Sequence, residues 1–337
     1  MQALLSPLAE LADYQEILKN RRKEGGLIQI AGCVNSQKTH LMYALGDGCD
    51  YRVIAFSSEE KAKKAYEEYR IFTENVWYYP ARDLLFYHAD IKGKTLTDSR
   101  MEVLRVLIEH RENPVTVITT MDAFLDGLPG PDEILAERIA LKGGDVLDLT
   151  EFQQKLSRMG YERESQIEGP GQFSVRGGIL DVFPLTEELP VRIEMWGDEI
   201  DSIRSFDVES QRSVENLEEI VIYPASENWR EDLRAVSFLE YFPREKTLLF
   251  LDEPQRLQES AEEVEKEYFD SLERRAENPD SFHSDLNEDG REQLRVFETR
   301  NIIAAMNRYS GIGLTTLESK CGLFHVRQTY SIQAKGV

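Results

Sequence analysis

The sequence predicts an α/β protein: a mainly parallel sheet covered by helices, interrupted by a smaller α+β module. Three observations carry this. Short apolar runs alternate with helix-length runs up to Asp126, the stretch from 127 to about 213 is strand-rich, and the alternation resumes from Leu217. The chain therefore divides into residues 1–126, 127–216 and 217–337.

In the first portion, residues 27–31 (Leu-Ile-Gln-Ile-Ala) read as a strand and a helix begins at Lys38. Strand 51–56, helix 59–72, strand 76–79, helix 97–110 and strand 115–119 follow. The run Asp126-Gly-Leu-Pro-Gly-Pro131 is the clearest break. A helix is expected over 149–159 inside the strand-rich portion. In the last portion, strand 247–251 leads into an acidic helix, a polar linker near Asn278-Pro-Asp280 and Asn287-Glu-Asp-Gly290, and a helix over 292–308. No internal repeat is visible.

The middle portion carries the most specific pattern, Gly171-Gln-Phe-Ser-Val-Arg-Gly-Gly-Ile-Leu-Asp-Val-Phe-Pro184 followed by a run from Val191 to Phe206. Side chains alternate across a strand, which places Phe173, Val175, Leu180, Val182, Val191, Ile193 and Met195 inward. Ser174, Arg176, Asp181, Phe183, Arg192 and Glu194 then point outward. A charged outer face is ordinary for a half-buried sheet, whereas an outward aromatic among arginines matches the composition of binding hot spots. Plain solvation and a binding surface both remain open from the pattern.

Composition excludes several classes. Lys and Arg number 40 against 62 Asp and Glu, a net charge of -22, so phosphate-neutralising DNA binding is not expected of this chain. Much of the excess lies in residues 251–300, where 16 acids stand against 7 bases. No apolar run nears the roughly 20 residues that span a bilayer, and no secretory signal pattern opens the chain, so a cytoplasmic protein is expected. Cys33, Cys49 and Cys321 are few, odd in number and far apart, and the five histidines show no ligand spacing. Neither a disulfide framework nor a metal site is expected.

A hint of chemistry comes from Gly32-Cys-Val-Asn-Ser-Gln37-Lys38-Thr39, which has the spacing of a phosphate-binding loop between a strand and a helix. Gly32, Lys38 and Thr39 are in place, but Gln37 replaces the glycine before the lysine. Such loops need glycines so that backbone N–H groups can curl around phosphate oxygens. The apolar strand ending at Asp252-Glu253 has the form of the magnesium-orienting acid pair. It equally makes a helix start, with Asp252 as cap and Pro254 in the first turn. A structural relic is the favoured reading of this degenerate nucleotide site, and ATP binding is the alternative.

The runs GQFSVRGGILDVFP and VRIEMWGDEIDSIRSFDVESQRS resemble the module shared by the excision-repair protein UvrB and the transcription-repair coupling factors, and the resemblance extends over essentially the whole chain. It implies a degenerate RecA-like P-loop domain, completed by the third portion and interrupted by a module that docks onto UvrA. Carried over motif by motif, the contacting residues are Arg163, Arg176, Arg192 and Glu194, with Phe183 beside them. Ser174 stands where UvrB has a further arginine, and Asn35 where UvrB has a further loop glycine. Between Trp77 and the helix at Thr97 there is no room for the tyrosine-rich β-hairpin with which UvrB clamps DNA. The residues after Ser310 are too few for a second motor domain. The resemblance thus implies a non-catalytic, UvrA-recruiting region of a transcription-repair coupling factor, with no cofactor of its own. ATP and magnesium would serve the motor of the whole protein. RNA polymerase and DNA would be met by regions outside this chain, and the carboxy-terminal part of the whole protein would make an intramolecular contact. The rival readings are a UvrB-like ATPase that recognises damage and a stand-alone P-loop enzyme.

Overall fold

The computed structural model describes residues 8, 13–23, 25–34, 36–82, 93–109, 114–185, 187–227, 234–277 and 296–332. Two compact units emerge: residues 1–90, 110–128 and 236–337 form the larger, and residues 91–109 and 129–235 the smaller.

The larger unit is built on a seven-stranded, all-parallel sheet. Its strands are β1 (Gly26–Ala31), β2 (Tyr51–Phe56), β3 (Val76–Tyr79), β4 (Val115–Thr120), β15 (Thr247–Asp252), β16 (Ser310–Thr315) and β17 (Val326–Ser331), in the spatial order β17-β1-β16-β15-β2-β4-β3. β1, β2, β4, β15 and β16 are buried at every residue, as expected of strands covered on both faces. The sheet meets α1 (Tyr14–Asn20), α2 (Ser36–Leu45) and α3 (Glu59–Tyr69) in one core that includes Ile28, Ile30, Leu41, Ile54, Phe250 and Ile312. α7 (Pro254–Glu277) and α8 (Thr299–Met306) complete the unit. The smaller elements β5 (Gly127–Leu128) and β14 (Val236–Ser237) pair with each other.

The smaller unit contains a six-stranded sheet in the order β12-β11-β10-β9-β8-β7. These are β7 (Glu162–Arg163), β8 (Gln172–Arg176), β9 (Ile179–Phe183), β10 (Val191–Trp196), β11 (Glu199–Phe206) and β12 (Ser213–Asn216). All neighbours are antiparallel except β7 and β8. One face packs Phe173, Leu180, Val182, Val191 and Ile193 against Phe152 and Leu156 of α6 (Leu149–Arg158). α6 starts where Asp148 accepts hydrogen bonds from the N–H groups of Thr150 (2.7 Å) and Glu151 (3.0 Å), which satisfies two otherwise orphaned donors. β6 (Ile139–Lys142) pairs with β13 (Glu219–Ile222), so strand pairing carries the smaller unit past residue 216. α4 (Gly93–Glu109) belongs to the same unit, and its fully buried Arg100 donates from Nε to Glu227 at 2.7 Å.

Three expectations change. A short helix, α5 (Pro131–Glu137), starts inside the run read as a break, because Pro131 fits a first helical turn and Glu133 accepts from the Gly130 N–H at 2.8 Å. The last helix begins at Thr299, not 292: Val296 bridges to Asp126, and the Phe297 N–H donates to Leu125 O at 2.8 Å. β16 and β17 were not foreseen from the sequence. The linker at 278–290 and residues 292–295 lie outside the described residues.

Candidate functional site

Two groups of residues singled out from the sequence lie in different units, the loop between β1 and α2 and one face of the six-stranded sheet.

At the loop, Gly32 has φ +89, and a Cβ there would collide with the carbonyl oxygen of Ile332. The Ile332 N–H in turn donates to Ala31 O at 2.8 Å. The glycine is therefore required by a close backbone approach within the protein itself. Gln37 closes the loop from its other end, for its Oε1 accepts from the Val34 N–H at 3.3 Å and its own N–H donates to Val34 O at 3.0 Å. Asn35 lies outside the described residues.

Lys38 is nearly buried and donates to Asp252 Oδ1 at 2.6 Å and Glu253 Oε1 at 2.7 Å. The same Glu253 oxygen accepts from both the N–H and the Oγ1 of Thr316, each at 2.7 Å. Burial raises the Glu253 carboxyl pKa, but the hydrogen bonds from Lys38 and Thr316 prevail and hold it below its ordinary value. α7 starts at Pro254 as the helix-start reading expects, but its cap position is Glu253, at φ +53, and not Asp252, whose Oδ1 is taken by Lys38. The hydroxyls of Thr39 and Ser36 donate to the two carboxylate oxygens of Glu68, at 2.8 and 3.0 Å. Lys38 and Thr39, the groups that would meet phosphate and magnesium, are thus both bonded within the chain. A cavity of about 260 Å³ remains beside them, lined in part by Lys64, Glu68, Arg256 and Thr316. That is below the ~300–1,000 Å³ usual for small-molecule sites. The structure adds Glu68 and Thr316 to this group. Neither sits at a motif position, so no sequence signal marks them.

On the sheet, strand register brings Ser174, Asp181, Arg192 and Arg204 into one row across β8 to β11. Arg192 grips Asp181 with two bonds, Nε to Oδ1 at 2.7 Å and Nη2 to Oδ2 at 2.9 Å, and Arg176 Nη2 adds a third at 2.9 Å. The hydrogen bonds that Arg192 donates to Asp181 raise its guanidinium above the ordinary pKa, against the cost of burial. Arg192 also lies 4.3 Å from the ring centre of Phe206 and donates to Gln211 Oε1 at 2.9 Å. Glu194 does not hold Arg192. It pairs with Arg204 and accepts from the Ser202 hydroxyl at 3.1 Å.

This face is less open than strand alternation predicts. Phe183 is buried and packs with Ile167, Phe206 and Val208, which form a second, smaller apolar cluster behind the arginines. It is an anchor of that cluster and not an exposed aromatic. Ser174 and Asp181 are likewise buried, and the Ser174 Oγ makes no hydrogen bond among the described residues. Alternation assigns each residue to a face but does not reveal that a loop carrying Ile167 covers part of it. Arg176 is half exposed, and Arg163 is exposed on the edge strand. Arg163 registers with Phe173, so parity does not group it with Arg176 and Arg192.

With this sheet as its centre, the smaller unit matches a known family. Residues 139–228 match the UvrB interaction domain. The chain is also similar to the transcription-repair-coupling factor of Staphylococcus aureus strain bovine RF122 / ET3-1, 37% identical over 157 residues. That of Staphylococcus haemolyticus strain JCSC1435 is 39% identical over 153 residues. The aligned stretches cover 47% and 45% of this chain but 13% of each relative, so the chain corresponds to a small part of the relatives' length. The match to the UvrB interaction domain begins at β6 and encloses β7 to β13, and it therefore includes Arg163, Arg176, Phe183, Arg192 and Glu194. Asp181, which alternation sorted outward but to which no contact was assigned, and Arg204 and Gln211, which were not singled out from the sequence, tie the arginine face together and fall in the same match.

Proposed function

We propose that this chain is the UvrA-recruiting region of a transcription-repair coupling factor, acting in transcription-coupled nucleotide excision repair in the cytoplasm. The observation that carries it is the match of residues 139–228 to the UvrB interaction domain, centred on the sheet that presents Arg176, Arg192 and Glu194. Half-exposed Arg176 and exposed Arg163 are the guanidinium groups best placed to meet carboxylates of UvrA, since a planar guanidinium makes paired hydrogen bonds. They stand out on a protein of net charge -22, and a local positive field steers an acidic partner into register. Contacts to RNA polymerase and DNA, ATP-driven translocation with its magnesium, and an intramolecular contact to the carboxy-terminal part belong in this reading to the rest of the relatives' length. In an isothermal titration of UvrA into the chain, Arg176→Glu is expected to weaken binding by at least ~30-fold, about 2 kcal/mol, with circular dichroism unchanged. Unchanged affinity in a folded Arg163→Glu, Arg176→Glu double variant would place the docking site elsewhere.

The loop after β1 is, in the same reading, a relic. Productive ATP binding requires Lys38 free to meet phosphate, whereas Lys38 is held by Asp252 and Glu253 and Gln37 occupies a loop N–H. Titration of ATP with magnesium is expected to give no heat of binding and no phosphate release. A micromolar isotherm would revive the UvrB-like ATPase reading.

A further inference from the structure

The most exposed large apolar side chain among the described residues is Trp196, 84% accessible, at the tip of the β10–β11 hairpin. It is not isolated. Trp196 pairs in register with Glu199, and Glu199 forms a bridge on its other side to Val146, itself 79% accessible. Directly opposed residues in an antiparallel sheet point to the same side with Cβ atoms roughly 5 Å apart, so Trp196 and Val146 flank the Glu199 carboxylate in one row. The Val146–Glu199 bridge is flanked along the strand by two backbone bonds, Leu147 N–H to Asp198 O at 2.7 Å and Ile200 N–H to Asp145 O at 2.8 Å. Exposed Asp198 and Glu199 have no ion-pair partner among the described residues, in contrast to Asp181 and Glu194 further along the sheet.

An indole beside unpaired carboxylates has a defined complement. A guanidinium can lie over the indole face while donating two hydrogen bonds to a neighbouring carboxylate, and removal from water strengthens both interactions. A lysine ammonium fits less well, because it stacks poorly and makes a single point contact. The row is also continuous with the arginine face. Met195 pairs with buried Ile200, so Trp196 shares its side of the sheet with Arg192 and Glu194. The composite surface then has a cationic end around Arg176 and an acidic, aromatic end at Asp198 and Glu199.

We propose that Trp196, Val146 and Glu199 form a second anchor of the UvrA-docking face, which takes an arginine of UvrA against the indole and the Glu199 carboxylate. The proposal rests on the UvrA-recruiting reading above. With Phe183 buried, Trp196 supplies the aromatic hot spot of that surface, and the opposite charges of its two ends fix the orientation of the partner.

The test is an isothermal titration of UvrA into the full chain and its variants, with thermal melting as the fold control. Trp196→Ala and Glu199→Lys are each expected to weaken binding by at least about tenfold with melting unchanged, while Trp196→Phe stays within about threefold of the parent. If the parent binds, Arg176→Glu weakens it and both Trp196→Ala and Glu199→Lys leave affinity unchanged, the second anchor is overturned and the recruiting function stands. If the parent does not bind UvrA at all, the functional reading fails and the anchor with it.

Discussion

Lys38→Ala is expected to destabilise the larger unit by ~3–5 kcal/mol, an effect on folding in a residue whose motif position suggests catalysis. The reason is what the lysine leaves behind. Asp252 and Glu253 are nearly buried, the two carboxylates follow one another in the chain, and Lys38 bonds both at 2.6 and 2.7 Å. Removal of one cation strands two charges in a region of low dielectric, which costs far more than the net worth of the intact pairs. A Lys38→Met, Asp252→Leu double variant should recover much of the loss, since apolar groups of similar volume often replace buried ion pairs without penalty. Urea denaturation of the three proteins measures this directly.

The pH dependence follows from Glu253. In the parent its folded pKa lies below the ordinary 4.5, so it contributes stability that is present above 4.5 and lost as pH falls through the depressed value. Without Lys38 only the hydrogen bonds from Thr316 oppose burial, so the folded pKa moves up from its depressed value and the stability that ionised Glu253 contributes above 4.5 shrinks. The gap between parent and Lys38→Ala should accordingly be largest near pH 7 and shrink towards pH 4. An equal midpoint for the two proteins at pH 7 would show that the acid pair is not held by Lys38.

The parts of this structure legible in the sequence are those whose physics is local. Apolar runs such as Tyr-Arg-Val-Ile-Ala-Phe at 51–56 lie in a fully covered parallel sheet, and their strand character needs no tertiary knowledge. β16 was hidden because it reads Ser-Gly-Ile-Gly-Leu-Thr, and glycine normally argues against a strand. Its glycines answer to neighbours: a Cβ at Gly311 would strike the Leu27 side chain, and one at Gly313 would lie 2.9 Å from Pro254. The same limit applies to the sites. Lys38, Asp252 and Glu253 could be named from motif spacing, but their mutual bonding spans more than two hundred residues and depends on β15 sitting one strand from β1. Period-two alternation sorted Phe183 to the arginine side, yet the apolar cover from Ile167 and Phe206 comes from outside its strand.

Arg192→Glu is expected to be the most damaging single change in the sheet of the smaller unit, at about 3–5 kcal/mol, whereas Arg176→Glu should cost little stability. Both arginines bond Asp181, but their settings differ. Arg192 is largely buried and supplies two of the three hydrogen bonds that neutralise the carboxylate of Asp181, whose side chain is only 2% accessible. Arg176 is half exposed and supplies the third, so water can replace much of what it contributes. A glutamate at 192 would also set a second carboxylate against Asp181 and remove the guanidinium that lies over the Phe206 ring. Arg192→Lys should fall between, because an ammonium cannot reproduce the paired bonds. Urea midpoints are expected to rank the parent and Arg176→Glu together, then Arg192→Lys, then Arg192→Glu, and an unshifted midpoint for Arg192→Glu would refute the assignment of Arg192 as the clamp on Asp181. This ranking decides how docking can be measured. Under the proposed docking on UvrA, loss of binding in an Arg192 variant reports first on the sheet that displays the surface, so among the arginines the exposed Arg163 and Arg176, and not Arg192, are the ones to test the encounter.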